Sequence, residues 1–195
     1  MITATIMIVI AYLIGSLSSA IIVCKLMELP DPRTQGSGNP GATNVLRLGG
    51  KLPAAITLLG DVLKGNIPVI IALIIGLPSL SVGLVAIAAI LGHIFPIFFK
   101  FKGGKGVATF FGALFALNWV AGLMALATWI VVVAITRYVS LASIAAAAGA
   151  VLYTLFFAHE TYFLQILVMA IIIIITHREN IKRLKAGTEN KLNLS

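Results

Sequence analysis

The chain has 195 residues, of which 60% are hydrophobic and only 10% are charged, and its formal net charge is +8. A soluble domain carries about a quarter charged residues, so this composition excludes an ordinary water-soluble protein. The mean hydropathy of +1.09 indicates a membrane protein instead. The excess of basic residues is then explained by cytoplasmic loops rather than by binding to nucleic acid.

Apolar runs of about twenty residues, the length of a helix that crosses a bilayer, follow one another along the chain. They do not alternate apolar with polar residues as the strands of a membrane β-barrel do. The sequence therefore predicts an all-α integral membrane protein, a single polytopic domain over residues 1–195. The first run is too long for the core of a signal peptide and is interpreted as a retained span. The runs are 2–26, 54–76, 78–99, 107–136, 139–157 and 161–176.

The run 107–136 is too long for one span, because its 30 residues would extend roughly 45 Å as helix through a core of about 30 Å. It contains a polar residue, Asn118, followed by Trp119, an aromatic residue typical of membrane interfaces. If this run crosses twice, every basic residue except Lys64 lies on the same side of the membrane. The positive-inside rule therefore predicts a hairpin of two short spans. The result is seven transmembrane helices, with the N-terminus outside and the C-terminus in the cytoplasm.

Three polar segments are predicted on the cytoplasmic face: residues 31–53, 100–106 and 177–195. We refer to them as the first, second and third polar segments. The first contains GSGNPGATNVLR, from Gly36 to Arg47. Glycines let backbone N–H groups turn inward around an anion. The side chains of Ser37, Thr43 and Asn44 can add further hydrogen-bond donors. The planar guanidinium of Arg47 suits phosphate oxygens. This pattern favours a phosphate site over a flexible connection.

The second polar segment places Gly103, Gly104 and Gly106 around Lys105, directly before the helix predicted to begin at Val107. Free N–H groups, the positive end of a helix dipole and an ammonium then converge, which is an arrangement that binds phosphate. The spacing is not that of a Walker A loop. His93, upstream in GHIFPIFFKFKGGKG, is compatible equally with a site role and with a buried packing role.

The third polar segment begins with THRENIKRLKAGTE, where His177 and Asn180 share a face if the last helix continues. The basic residues Arg178, Lys182 and Lys185 lie on another face and are expected to meet anionic lipid head groups.

Two charges lie inside a predicted span, Asp61 and Lys64, at a spacing that lets them pair. Charges within a membrane are costly and often functional, but a buried ion pair that joins helices explains them equally well. Ser140 and Ser143, just inside the span after Arg137, are further candidates for the polar face.

These three segments resemble the signature motifs of the bacterial acyl-phosphate–glycerol-3-phosphate acyltransferases, in order, spacing and total length. The matching stretches are GSGNPGATNVLR, GHIFPIFFKFKGGKG and THRENIKRL. The resemblance implies a multi-pass enzyme of phospholipid synthesis in the bacterial inner membrane, with its active site on the cytoplasmic side. It implies transfer of a fatty acyl group from acyl phosphate to glycerol 3-phosphate, which yields 1-acyl-glycerol 3-phosphate and inorganic phosphate. No cofactor or metal is implied. Association with the enzyme that makes the acyl phosphate is also expected.

The resemblance further implies which residues carry the reaction. The catalytic set is Ser37, Arg47, Lys105, His177 and Asn180. A structural glutamate of the third motif corresponds to Glu179 or Glu189, and the sequence leaves this choice open. The expected substrate-binding residues combine the glycine-rich motifs with Ser143: Gly36, Gly38, Asn39, Gly41, Thr43, Asn44, Gly103, Gly104, Gly106 and Ser143.

Two questions remain open at the level of sequence. The attacking hydroxyl loses its proton either to His177, whose ordinary pKa suits a base, or to the phosphate of the donor itself, and we favour the donor phosphate. A transporter of a phosphorylated solute is the alternative function. Transporters place their sites near mid-membrane and often in repeated halves, whereas here the polar segments lie at one face. Only the Asp61–Lys64 pair favours transport.

Overall fold

The computed structural model describes residues 1–157 and 160–192, and in this part of the chain every regular element is helical. Two short 3-10 turns, Ile97–Phe99 and Glu160–Tyr162, accompany the α-helices. The prediction of an all-α fold is therefore confirmed. The α-helices are α1 (Ile2–Gly15), α2 (Ser19–Leu26), α3 (Ala42–Gly49), α4 (Lys51–Ile74), α5 (Ser79–Ile94), α6 (Val107–Leu117), α7 (Trp119–Thr136), α8 (Val139–Phe157), α9 (Phe163–Thr176) and α10 (Arg178–Lys185).

The chain divides into two compact units, Met1–Ala113 and Leu114–Ser195. In the first unit, α1 packs against α5 through small residues. Gly15 lies directly against the backbone of Ala89, and Gly92 against the backbone of Tyr12, so a side chain at either glycine would overlap the facing helix. Close backbone approach of this kind is how helices associate in a bilayer, where apolar burial drives little association between helices.

The first apolar run is a broken helix rather than one continuous rod. α1 ends at Gly15, α2 begins at Ser19, and the two are bent by 41°. The Ser16 hydroxyl donates to the carbonyl of Tyr12 at 2.8 Å, a back-bond that often accompanies a helix bend. The break leaves the carbonyl of Leu17 outside both helices, where it accepts a hydrogen bond from Lys64 at 2.8 Å.

The beginning of α6 packs on α4 by the same small-residue principle. Gly65 lies directly against the carbonyl of Thr109, and the Asn66 amide donates to the carbonyl of Gly112 at 2.9 Å. These contacts hold the start of α6, which directly follows the second polar segment, against the centre of the first unit.

The run 107–136 is divided at Asn118, as the sequence predicts. The side-chain oxygen of Asn118 accepts from the backbone N–H of Ala121 at 3.0 Å and so caps the start of α7. Helix α6 has only 11 residues, about 16 Å of helix, which is half of a bilayer core.

Within the described part of the chain, four helices are long and apolar enough to cross a membrane, and up to six spans result if each of two bent pairs counts as one. The bent pairs are α1 with α2 and α9 with α10. In the second unit, α7 and α8 are joined by the Thr128 and Tyr153 hydroxyls, which lie 2.7 Å apart. Large apolar side chains such as Ile135 remain exposed, as lipid contact requires.

The last apolar helix does not continue into the third polar segment. α9 ends at Thr176, α10 begins at Arg178, and the two are bent by 57°. The predicted face shared by His177 and Asn180 therefore forms at a helix junction rather than along one helix. Residues 193–195 of the third polar segment lie outside the described residues.

Candidate functional site

The first polar segment winds around one buried side chain, that of Asn44 in α3. Its amide donates to the carbonyl of Pro32 at 2.9 Å and to that of Gln35 at 3.0 Å, and its oxygen accepts from the backbone N–H of Ser37 at 2.9 Å. Gly36 has a φ of +63°, and a side chain there would run into the Asn44 oxygen. The amide of Asn44 therefore holds the loop from within, whereas the sequence suggested a donor aimed at a ligand.

The other residues expected in this segment lie nearer to the surface. Ser37 and Arg47 are exposed, the latter in the last turn of α3. Gly36 and Gly38 are exposed as well, whereas Asn39, Gly41 and Thr43 are half-buried. The loop thus presents a hydroxyl and a guanidinium outward from a backbone that Asn44 holds.

The second polar segment is a narrow loop closed at its base. The backbone N–H of Gly103 donates to the carbonyl of Ile94, and that of Gly104 to the carbonyl of His93, each at 3.2 Å. Lys105 follows, half-buried, and Gly106 leads into α6. The structure therefore places Lys105 at the start of a helix, as the sequence predicts, on a turn that is bonded to the end of α5.

The first and second polar segments meet inside the first unit. A side chain at Gly104 would lie 2.9 Å from the carbonyl of Pro40 and would overlap the imidazole of His93. A glycine is needed at 104 because these two neighbours leave no space for a Cβ atom. The two glycine-rich segments, which carry Arg47 and Lys105, are therefore in contact at Pro40 and Gly104.

In the second unit, the third polar segment is organised by Glu189. One carboxylate oxygen accepts from the Asn180 amide at 2.6 Å and from the Ser140 hydroxyl at 2.7 Å, and the other accepts from the Arg183 guanidinium at 2.7 Å. Asn180 is buried and Glu189 nearly so. The carboxylate thus ties the chain beyond α10 to α8 and fixes the side chain of Asn180.

The charge on Glu189 is favoured by these contacts. Partial burial acts to raise the pKa of Glu189, but the hydrogen bonds from Ser140, Asn180 and Arg183 outweigh burial, and the pKa lies below its usual value. The carboxylate is therefore ionised at neutral pH and accepts all three hydrogen bonds.

His177 lies at the junction of α9 and α10 and is only 2% exposed. Its Nδ1 atom is 2.8 Å from the carbonyl oxygen of Ile173, which only accepts, so Nδ1 carries the proton in this contact. In the neutral ring, Nε2 is then the acceptor nitrogen.

Of the two glutamates that the sequence leaves open, Glu189 is the one that makes buried contacts. Glu179 is exposed, and it pairs on the surface with Lys182 at 3.1 Å and with Arg178 at 3.7 Å. Ser143 is buried in α8, where its hydroxyl donates to the carbonyl of Val139. The sequence placed Ser140 with the polar face but did not predict its contact with Glu189, because only the register of α8 against the chain beyond α10 brings the two residues together.

The predicted ion pair within α4 is confirmed. Lys64 Nζ lies 2.8 Å from a carboxylate oxygen of Asp61, and both side chains are buried. His93 is buried too, which agrees with its packing interpretation, and its Nδ1 atom lies 3.6 Å from the same oxygen. Within residues 1–157 and 160–192, no cluster of three or more His, Cys, Asp or Glu residues could hold a metal ion.

Known proteins are similar to this chain over nearly its whole length. Residues 5–187 match the profile of the family described as glycerol-3-phosphate acyltransferase. The glycerol-3-phosphate acyltransferase of Shewanella loihica is 55% identical over 186 residues, 95% of this chain and 91% of that protein. The one from Coxiella burnetii is 52% identical over 187 residues, 96% of this chain and 97% of that protein.

Two solved structures are similar over nearly the whole chain. Both are crystal structures of PlsY (YgiH), an integral membrane glycerol 3-phosphate acyltransferase. The glycerol 3-phosphate form has a TM-score of 0.93 and 39% identity, and the lysophosphatidic acid form has a TM-score of 0.91 and 38% identity. Each match covers 98% of this chain and 96% of the other. The chain is thus a multi-pass membrane acyltransferase of phospholipid synthesis, and it belongs to the glycerol-3-phosphate acyltransferase family.

Proposed function

We propose that this enzyme transfers a fatty acyl group from acyl phosphate to glycerol 3-phosphate, and that the products are 1-acyl-glycerol 3-phosphate and inorganic phosphate. The observation that carries the proposal is the meeting of the first and second polar segments at Pro40 and Gly104. Glycerol 3-phosphate, a phosphate monoester with a second pKa near 6, and the acyl phosphate together bring roughly three to four negative charges at neutral pH. Two glycine-rich backbones with Arg47 and Lys105 supply the donors and cations that such a pair of substrates requires.

The residues divide into those that touch reacting groups and those that shape the site. We assign Ser37, Arg47, Lys105, His177 and Asn180 to direct contact with the substrates. Asn44 serves the site by holding the first polar segment, because its amide is already bonded to that loop. Glu189, rather than Glu179, fills the structural role through Asn180 and Ser140. The remaining binding residues are Gly36, Gly38, Asn39, Gly41, Thr43, Gly103, Gly104, Gly106 and Ser143.

In the reaction, a hydroxyl oxygen of glycerol 3-phosphate attacks the acyl carbonyl carbon. An ester C–O bond forms, the bond between the carbonyl carbon and the phosphate oxygen breaks, and inorganic phosphate leaves. We propose that the donor phosphate takes the hydroxyl proton, because an acyl phosphate is already an activated anhydride and needs mainly positioning and stabilisation of the oxyanion. His177, with Nε2 as its acceptor nitrogen, and Asn180 then orient the attacking hydroxyl.

The donor is tested with purified enzyme, acyl phosphate and glycerol 3-phosphate in the absence of CoA and acyl carrier protein. We expect equal amounts of inorganic phosphate and 1-acyl-glycerol 3-phosphate, and no phosphate release beyond background without the acceptor. Product formation from acyl-CoA but not from acyl phosphate would overturn the proposed donor.

The route of the proton is tested with His177→Gln, which keeps a polar side chain but removes the base. A general base contributes about 10²–10⁴-fold, so substrate assistance predicts a fall in kcat of less than about 100-fold. A larger fall, with thermal stability and the KM for acyl phosphate unchanged, would identify His177 as the base.

We further propose a single domain of seven spans in the bacterial inner membrane, with the N-terminus outside and the active site and C-terminus in the cytoplasm. Asn118, at the break between α6 and α7, lies outside in this topology. In a Cys24→Ser background, Asn118→Cys should react with an impermeant thiol reagent in intact spheroplasts, and Lys51→Cys should react only after lysis. The opposite pattern would contradict the topology.

Association with the enzyme that produces the acyl phosphate would shorten the path of an unstable, half-lipid donor. The basic residues Arg178, Lys182 and Lys185 of α10 are available to anionic head groups at the same face, where each basic residue contributes about 1 kcal/mol to membrane binding. Faster product formation when both enzymes share one vesicle than when they occupy separate vesicles would support the association.

A further inference from the structure

A chain of buried polar groups runs through the first unit, beginning at the break between α1 and α2. Lys64 Nζ lies 2.8 Å from the carbonyl of Leu17 and 2.8 Å from a carboxylate oxygen of Asp61. Asp61 is 2% exposed and Lys64 is 6% exposed. Burying charges to this degree costs free energy in a membrane protein, so we expect these residues to serve a function. That function is sought at the residue where this chain of contacts ends.

The next member of the chain is His93, at the end of α5. Its Nδ1 atom lies 3.6 Å from the same carboxylate oxygen of Asp61 and 3.2 Å from the hydroxyl of Thr109. Thr109 is fully buried and belongs to the first turn of α6. The hydrogen-bond partner of Nδ1 is the Thr109 hydroxyl, whereas the carboxylate, at 3.6 Å, makes no hydrogen bond to the ring. Its negative charge nevertheless favours a proton on the nearer ring nitrogen.

The far edge of the His93 ring meets the second polar segment. A side chain at Gly104 would overlap Nε2 of His93 and would lie 3.1 Å from Cε1. The backbone N–H of Gly104 also donates to the His93 carbonyl at 3.2 Å. The ring therefore lies directly against Gly104, the residue before Lys105.

We propose that Asp61 is a positioning residue for glycerol 3-phosphate: through His93 it holds the turn from Gly103 to Gly106 and so places Lys105 at the substrate phosphate. The inference rests on the proposed function, in which Lys105 binds a phosphate. A pair that served only to join helices would stabilise the protein but would not act selectively on one substrate.

The test uses two double variants that contain no buried charge. Asp61→Asn/Lys64→Met keeps a polar oxygen beside His93 Nδ1, whereas Asp61→Leu/Lys64→Met removes it. Because both lack the ammonium that bonds to Leu17, a difference between them reports the polar group at position 61 and not that contact. We expect the Leu/Met variant to have a KM for glycerol 3-phosphate about tenfold above that of the Asn/Met variant. The kcat and the KM for acyl phosphate should agree within about twofold.

Thr128→Val is the control, because it removes a polar contact between two other helices, α7 and α8, at the Tyr153 hydroxyl, outside this chain of groups. It should leave the KM for glycerol 3-phosphate unchanged. Equal KM values for the two double variants would overturn the inference, as would a parallel change in kcat and in both KM values.

If the Leu/Met variant does not fold, a second pair of variants decides the question. His93→Gln carries an amide at the position of Nε2, beside Gly104, whereas His93→Asn carries one at the position of Nδ1. We expect the KM for glycerol 3-phosphate to be about tenfold higher in the Asn variant than in the Gln variant. Equal values would overturn the inference.

The variant Lys105→Met distinguishes a failure of the inference from a failure of the proposed function. If Lys105→Met leaves the KM for glycerol 3-phosphate unchanged, the proposed role of Lys105 fails, and the inference fails with it. If Lys105→Met raises this KM while the Asp61 pair and the His93 pair each show no difference, only the inference fails.

Discussion

The first and third polar segments are each held by one side chain that makes three hydrogen bonds, but the two side chains differ in charge and in reach. Asn44 is neutral, and its partners, Pro32, Gln35 and Ser37, all belong to the same loop. Glu189 is charged, and its partners include Ser140, 49 residues away in the chain. A neutral amide suits a loop that offers both acceptors and a donor. A carboxylate suits a junction where three donors from two helices, α8 and α10, converge.

Because of this difference, the two arrangements should respond differently to substitution and to pH. The Asn44 arrangement depends on shape and on the balance of donors and acceptors, and it does not titrate. The Glu189 arrangement depends on an ionised carboxylate and on the chain beyond α10 remaining in place. The predictions below test the contrast, beginning with the largest expected effect.

Asn44→Leu should lower kcat/KM by at least about 100-fold. The substitution leaves two carbonyls and one N–H of the first polar segment without partners, and each such loss costs about 1–3 kcal/mol when the group is buried. The loop that presents Ser37 would then lose its shape. Initial rates of phosphate release, measured at matched amounts of folded enzyme, check this.

Gln35→Ala is the control for Asn44→Leu, because it leaves the Gln35 carbonyl in place and shortens only an exposed side chain. It should retain nearly full activity. Comparable losses in both variants would mean that the loop tolerates no change, and that Asn44 has no special role in it.

Glu189→Gln should lower kcat/KM about tenfold, less than Asn44→Leu. The amide keeps an oxygen for Ser140 and Asn180 but places an N–H group against the Arg183 guanidinium, where two donors meet. One charge-assisted hydrogen bond is lost, worth about 1.5–3 kcal/mol. Glu179→Gln, on the exposed face of α10, should change the same rate by less than about twofold. Equal effects of the two substitutions would return the choice of glutamate to an open question.

The stability of the enzyme should depend on pH through Glu189. Because the pKa of Glu189 is lowered in the folded protein, its contacts stabilise the fold above the usual value of 4.5. This contribution is lost as the pH falls through the lower pKa of the folded state. In detergent, the midpoint of thermal unfolding of the wild type should exceed that of Glu189→Gln by about 3–12 °C at pH 6. This difference in midpoint should narrow as the pH falls below 4.5, whereas the difference between wild type and Asn44→Leu should stay constant. A difference in unfolding midpoint between wild type and Glu189→Gln that does not vary with pH would contradict the prediction.

The smallest effect is expected from Asp31→Asn, in the same loop as Asn44. Hydrogen bonds from the Arg33 side chain hold the pKa of Asp31 below its usual value, and the closest contact is 2.6 Å. About a third of each side chain is nevertheless exposed, so the pair contributes less than about 1 kcal/mol. We expect a change in kcat/KM below about twofold, smaller still at high salt. A loss approaching that of Asn44→Leu would show that charge also holds the first polar segment.

Much of the fold and of the candidate site could be predicted from local patterns. The lengths of the apolar runs predict the helices, and the pair Asn118–Trp119 predicts the break between α6 and α7. The glycines around Lys105 predict a turn that enters a helix. These signals are readable because each depends on residues within a few positions of one another. The bends at Leu17 and His177 were not predicted, because hydropathy continues across both breaks and does not report the direction of the chain.

The sequence by itself determined that this protein is a helical membrane protein with three polar segments rich in phosphate-binding residue types, because composition, run length and motif spacing are properties of neighbouring residues. Only the tertiary structure decided that Asn44 faces its own loop and that Glu189, not Glu179, holds Asn180. It also decided that Asp61 reaches the second polar segment through His93. These decisions join residues up to 49 positions apart. Which partner a buried polar group finds depends on how helices pack, because the group must bond to whatever packing brings within about 3 Å.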